Sequence, residues 1–187
     1  MAPLTSLFLA PVDPRSAPEL ASIQQVLLDL EVIARPLGPQ TYAAGEGFSR
    51  QVVYAGCSPY LVMQPPSDGS LQFCHVALHG PFALPRLVTG PNTPKPRCPA
   101  CRASLADWRT QLQDWLAGGA EVHCGTCQRK WSPHRLDWRG HAVSGRVLVE
   151  LRNVFPGEAT PSDKLINTLS ERTGEAWRYA WAGCLVD

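Results

Sequence analysis

The chain has 187 residues, is 44% apolar and 18% charged, and carries a formal net charge of +1. That balance excludes a disordered polyelectrolyte and a strongly basic polyanion binder, and no run reaches the 18 apolar residues of a helical membrane span. At this length roughly 70% of the unfolded surface can be buried, enough for one domain with at most a small insertion.

The first predicted element is an apolar strand, Leu4–Ala10, ending at Pro11-Val12-Asp13-Pro14. It lacks a positive flank and its apolar run is too short for a signal peptide, so a cytoplasmic protein is expected. Ser16 with Glu19 reads as a capping box for a helix, whose apolar face is Leu20, Ile23, Leu27 and Leu30. A strand near Glu31–Pro36 closes a β-α-β unit. Strands are expected at Gln51–Ala55, Tyr60–Gln64 and Leu71–Leu78, the last two joined by the hairpin loop Pro65–Gly69. Five prolines between Gly80 and Pro96 then make an extended connector. The far end repeats the opening plan with a strand at Arg146–Phe155 and a helix capped by Thr160, with Pro161 at its first position. Leu165, Ile166 and Leu169 form the apolar face of that helix, Gly174 stops it, and a strand follows at Glu175–Trp181.

Between the connector and the last unit lies RCPACRASLADWRTQLQDWLAGGAEVHCGTCQRKW, from Arg97 to Trp131, with two Cys-x-x-Cys pairs 22 residues apart. Each such turn delivers two thiolates from one tight bend, and two turns supply the four soft donors of a tetrahedral zinc site. Cys98, Cys101, Cys124 and Cys127 are therefore the expected ligands of one structural Zn2+ per chain. Two alternatives are weaker. A redox Cys-x-x-Cys opens a helix after a strand, and a catalytic zinc keeps a position that four thiolates would fill. His123, beside Cys124, is the alternative donor to one of the thiolates. Leu105, Trp108, Leu112 and Trp115 recur at helical spacing, so a helix of about three turns is expected between the knuckles.

CPAC and CGTC, with Pro99 and Gly125 at their turns, resemble the knuckles of a zinc ribbon. The resemblance covers about 40 residues, and the helix between the knuckles departs from the all-β form of that family. The longer run GPFALPRLVTGPNTPKPRCPAC, followed by VFPGE, resembles a bacterial protein group with no assigned activity. That likeness implies a bacterial cytosolic origin and no mechanism.

Elsewhere the chemistry is sparse. His75 and His79 share one face of a strand but stand about 13 Å apart, too far to chelate one metal. Cys74 reads as a core thiol, Cys57 and Cys184 as ordinary small residues, and Glu158 as a solvated carboxylate. Phosphate-loop, HExxH and GxSxG motifs are absent from the sequence. Residues 95–139 hold eight Lys/Arg and four Asp/Glu. Their suggestive set is Arg129, Lys130, Trp131, His134, Arg135, Trp138 and Arg139, where cations alternate with aromatics that suit phosphate contact and base stacking, or packing of the module.

The resulting expectation is an α+β protein. A ferredoxin-like, split β-α-β sandwich body is formed by residues 1–94 and 140–187, with a zinc ribbon-like module inserted at 95–139. It is expected to be non-enzymatic and to recognise macromolecules, a protein partner being favoured over nucleic acid by the near-neutral charge, with no membrane partner. The alternatives are a nucleic-acid-associated factor acting through Arg129–Arg139, and an enzyme with a pocket near His75 and His79.

Overall fold

In the computed structural model, which describes residues 6–55, 61–155 and 157–183, the apolar run near the N-terminus is strand β1, Ser6–Pro11. Leu7 and Leu9 face one side of a sheet, Phe8 and Ala10 the other, and all four are fully buried. A strand covered on both faces has no polar side to show, which explains its unbroken apolar sequence.

Helix α1 (Leu20–Asp29) leads to β2 (Ile33–Gly38), β3 (Thr41–Ala44), the one-turn helix α2 (Phe48–Gln51) and β4 (Val52–Tyr54). β5 (His75–His79) and β6 (Arg86–Val88) precede the cysteine segment, which holds α3 (Trp108–Leu116), β7 (Val122–His123) and β8 (Lys130–Trp131). The chain closes with β9 (Val143–Gly145), β10 (Leu148–Arg152), β11 (Ala159–Pro161), α4 (Asp163–Thr173) and β12 (Trp177–Ala182). Among the described residues no helix is long and apolar enough to cross a membrane.

The fold is α+β. Its main sheet has six strands in the order β12-β1-β10-β5-β3-β2, every neighbouring pair antiparallel. Counting directions across that order, β1 runs parallel to β2 and β10 parallel to β12, so α1 and α4 are both crossovers. They pack side by side on one face, where Ile23, Val26, Leu27, Leu165 and Leu169 bury against Leu7, Leu9, Val149 and Leu151. The sheet is wider than the four strands of a ferredoxin-like sandwich, because β3 and β5 lie between β2 and β10.

Several expected boundaries move. Pro18 disfavours helical backbone at Ala17, so α1 starts only at Leu20, after Glu19, and the Ser16 capping box does not form. At the other end Ser162, not Thr160, caps α4: its hydroxyl accepts from the Leu165 N–H at 3.1 Å, and Thr160 sits in β11 opposite Val53. Gly174, at φ 71°, ends that helix in the left-handed conformation expected of it. Leu61–Gln64 form no strand, so the Pro65–Gly69 loop joins no hairpin; Tyr60 lies outside the described residues. The strand expected at Leu71–Leu78 begins only at His75.

The proline-rich connector is docked rather than loose. β6 pairs with β9, and this ribbon lies on the second face of the sheet, with Val88 and Val143 against Phe8, Leu148 and the small Ala10, Ala180 and Ala182. Gly183 permits close approach at the sheet's edge, since a Cβ there would stand 2.6 Å from the Thr89 carbonyl oxygen. The cysteine segment has an apolar cluster of its own: Leu105, Trp108, Leu112, Val122, Leu136 and Trp138 bury together with Cys98 and Cys124. Trp108 meets Trp138 edge to face, with centroids 5.2 Å apart. The segment is tied at its neck, where Arg97 and Asp137 exchange backbone hydrogen bonds of 2.9 and 3.1 Å.

Candidate metal centre

The two Cys-x-x-Cys turns adopt one backbone form. In the first, the Cys98 N–H donates to the Ala103 carbonyl and the Arg102 N–H to the Cys98 carbonyl, both at 2.9 Å. In the second, Cys124 donates to Arg129 and Gln128 to Cys124, again at 2.9 Å. The residue after each pair reverses the chain in left-handed backbone, Arg102 at φ 63° and Gln128 at φ 61°. A side chain there costs about 1–2 kcal/mol, and each has its own compensating contacts. Gln128 donates from Nε2 to the Gly125 carbonyl at 2.8 Å and accepts from His123 Nε2 at 2.8 Å. Arg102 pairs with Asp137 at 3.2 Å.

Flanking strands aim the two bends at each other. β7 and β8 pair around the second, and Gln111 of α3 grips β7 by accepting the His123 N–H at 2.7 Å. Each turn buries its first cysteine, Cys98 and Cys124, and leaves its second nearer the surface. All four sulfur atoms lie within 4.8 Å of one another, with Cys98–Cys127 and Cys101–Cys124 both at 3.6 Å.

Those separations decide the chemistry. A disulfide needs about 2.05 Å, whereas four sulfurs at about 2.3 Å from a central zinc define a tetrahedron with edges of about 3.8 Å. The cluster fits a metal ion bound by four thiolates. Backbone N–H groups favour that ionisation. Burial opposes it at Cys98, yet the N–H groups of Cys101 and Ala100 and the neighbouring thiols bring Cys98 down to about 6. The Cys127 N–H, aided by that of Thr126, lowers Cys124 as well. Cys101 moves the other way, to about 11: the Ala103 N–H favours its thiolate, but burial and three adjacent sulfurs outweigh it. Four thiolates in one cluster repel, and a central cation relieves that repulsion.

Four protein donors close the coordination sphere. His123 does not join the group of donor atoms within reach of one another; its Nε2 donates to Gln128 Oε1. The chain after Cys101 turns at Arg102 and does not enter a helix until Trp108, unlike a redox Cys-x-x-Cys. Among the described residues this is the one group of three or more His, Cys, Asp or Glu placed to hold a metal.

The structure divides the cation and aromatic set. Arg129, Lys130, Arg135 and Arg139 are exposed, Trp131 and His134 are half-buried, and Trp138 is buried with its Nε1 donating to the Pro133 carbonyl at 2.9 Å. Trp138 therefore serves the core of the segment. Cys74 is a buried core thiol, pushed up to about 11 by burial, and Cys57 and Cys184 lie outside the described residues. Glu158 is exposed.

Sequence reasoning missed a polar cluster on the second sheet face. Glu150 is fully buried on β10, and its Oε2 accepts from His79 Nε2 at 2.7 Å and from Arg152 at 2.9 Å. His75, opposite Arg152, donates from Nδ1 to the Phe73 carbonyl at 2.7 Å and does not join the carboxylate. The available signal was Glu150 and Arg152 two residues apart, hence on one face of one strand. Comparison with family models, curated proteins and solved structures finds no match to this chain.

Proposed function

We propose that this is a non-enzymatic zinc protein in which residues 95–139 form a ribbon-like module, held by one structural Zn2+, that recognises a macromolecular partner, chiefly another protein. One observation carries the reading: four sulfurs within 4.8 Å of one another, two of their pairs at 3.6 Å, on two matched knuckles. A centre with no open position builds structure instead of activating water. Its product is a rigid, partly exposed surface bearing Arg129, Lys130, Trp131, Arg135 and Arg139 on a body read as a widened split β-α-β sandwich. A cytoplasmic, bacterial setting belongs to the same reading.

The cluster of His79, Glu150 and Arg152 does not change this reading. Its carboxylate is buried and already bonded to Arg152 and His79, which suits a structural polar cluster better than an acid-base catalyst. Nucleic acid is the second partner class, supported by the four exposed cations of the module. Purified protein should hold one zinc per chain by elemental analysis. Affinity capture with and without nuclease then separates the partners: a protein that stays bound after nuclease supports the leading reading. Partners lost on nuclease treatment, with binding that falls steeply as salt rises, overturn it in favour of nucleic acid.

A further inference from the structure

A cleft of about 320 Å³ lies between the cysteine segment and the body, lined by Ser132, His134 and Arg135 on one side and Asp13, Pro14 and Arg15 on the other. Its polar groups come from segments more than 115 residues apart in sequence, and two of the side chains are guanidinium groups. This volume is at the lower end of ligand sites, which suits one small charged group and not an extended chain.

Both walls are held in place. The Arg15 N–H donates to Asp13 Oδ1 at 2.9 Å, its carbonyl accepts from Arg146 Nη1 at 3.5 Å, and the Pro14 carbonyl accepts the Arg146 N–H at 3.1 Å. Across the cleft the Arg135 N–H donates to the Ser132 carbonyl at 2.9 Å, and the guanidinium lies over the Trp131 ring, 5.5 Å from its centroid. His134 is fixed twice, by Nδ1 against the Ser144 hydroxyl and by edge-to-face packing on Trp115 with centroids 5.1 Å apart. Its Nε2 is the one polar ring atom left over. Burial, with a smaller contribution from the nearby Arg15 charge, holds the imidazole below its ordinary pKa, so it meets a ligand as a neutral ring.

We propose that this cleft binds a phosphate group, free or as a small phosphate monoester, between Arg15 and Arg135. Guanidinium groups match phosphate oxygens with paired N–H donors, and the Ser132 hydroxyl adds a second donor type. Asp13 is the one carboxylate present, and its Oδ1 is already occupied by the Arg15 N–H. A ligand seated there touches both the segment and the body and resists their separation.

The test is a titration of the intact zinc-loaded protein followed by amide NMR, with inorganic phosphate, phosphoserine and chloride at matched ionic strength. Saturable shifts at residues 13–15 and 132–135 are expected with the phosphates and not with chloride. A stronger response to phosphoserine than to inorganic phosphate identifies a monoester as the ligand, and the reverse identifies free phosphate. Arg15→Gln with Arg135→Gln should weaken binding roughly tenfold or more, since hydrogen bonds to charged groups are the strong ones. Asp13→Asn, which keeps the oxygen that accepts from Arg15, should tighten it. Chloride-like linear shifts, unchanged affinity in the double variant or no gain in Asp13→Asn overturn the proposal. The cleft wall rests on the zinc reading, so zinc content is measured on every sample: full zinc with no phosphate response refutes the cleft alone.

Discussion

Replacing Cys98 by Ser removes one of four thiolates while leaving a side chain of nearly the same size, so the change acts on the metal and not on packing. Zinc held by small modules contributes on the order of 10 kcal/mol to their folding. The apolar cluster of the segment is small by comparison. Truncating its largest buried contact, Trp108→Ala, costs about 3–5 kcal/mol for the cavity and about 1 more for the edge-to-face pair with Trp138. The metal term exceeds the packing term. A chain carrying Trp108→Ala should therefore keep its zinc and its knuckles, whereas Cys98→Ser should lose both. Hydrogen exchange reads this directly at the amides of Cys98, Arg102, Cys124 and Gln128, which are bonded only while the knuckles are closed. In Cys98→Ser these four should exchange rapidly while Leu9 and Val149, paired in the main sheet, stay protected. Full zinc and full protection in Cys98→Ser would falsify the ligand assignment. Protection lost at Leu9 and Val149 as well would show that the body cannot stand without the metal.

Glu150→Gln leaves Arg152 and His79 facing a neutral amide and should cost about 3 kcal/mol by chemical denaturation. The same carboxylate sets a pH dependence. Burial pushes its pKa up, but hydrogen bonds from His79 and Arg152, the Arg152 charge and the Ser6 hydroxyl outweigh that and hold it below the ordinary 4.5. A group with a depressed folded pKa stabilises fully above its unfolded value, so this contribution should be intact at neutral pH and vanish as pH falls below about 4.5. The wild type should lose stability over that acid range and Glu150→Gln should not; parallel curves would remove Glu150 from the account. Ser162→Ala should cost about 1–2 kcal/mol, because the hydroxyl both caps α4 and donates to the buried Gln51 side chain at 2.6 Å. A loss under 0.5 kcal/mol would mean the cap is idle.

The cysteine cluster was legible because tetrahedral ligation would leave a strict local signature, two donors three residues apart, twice. The crossover helices were legible through their apolar spacing, and Gly174 through the backbone freedom that only glycine offers without strain. What failed depended on distant partners. β6 and β9 are three residues each and exist only because they pair across more than fifty intervening residues. Glu150 is a charged residue in a strand, and only the fold reveals that the Arg152 charge and a hydrogen bond from His79 let it be buried. Thr160 reads as the cap of α4, but it pairs with Val53 across β11 and β4, and Ser162 takes the cap instead. Arg102 and Gln128 carry left-handed backbone without glycine, so nothing in their identity announced the turn.

The hydrogen-bonded neck at Arg97 and Asp137 means that the chain departs from the body and returns to it at a single point, its two strands roughly 5 Å apart. Residues 98–136 are thus closed off by one antiparallel pair. A two-residue turn spans such a gap, so Asn-Gly in place of residues 98–136 should close the chain at the neck, at the cost of the contacts those residues make beyond it, His134 with the Ser144 hydroxyl and Arg109 with the Pro91 and Thr93 carbonyls.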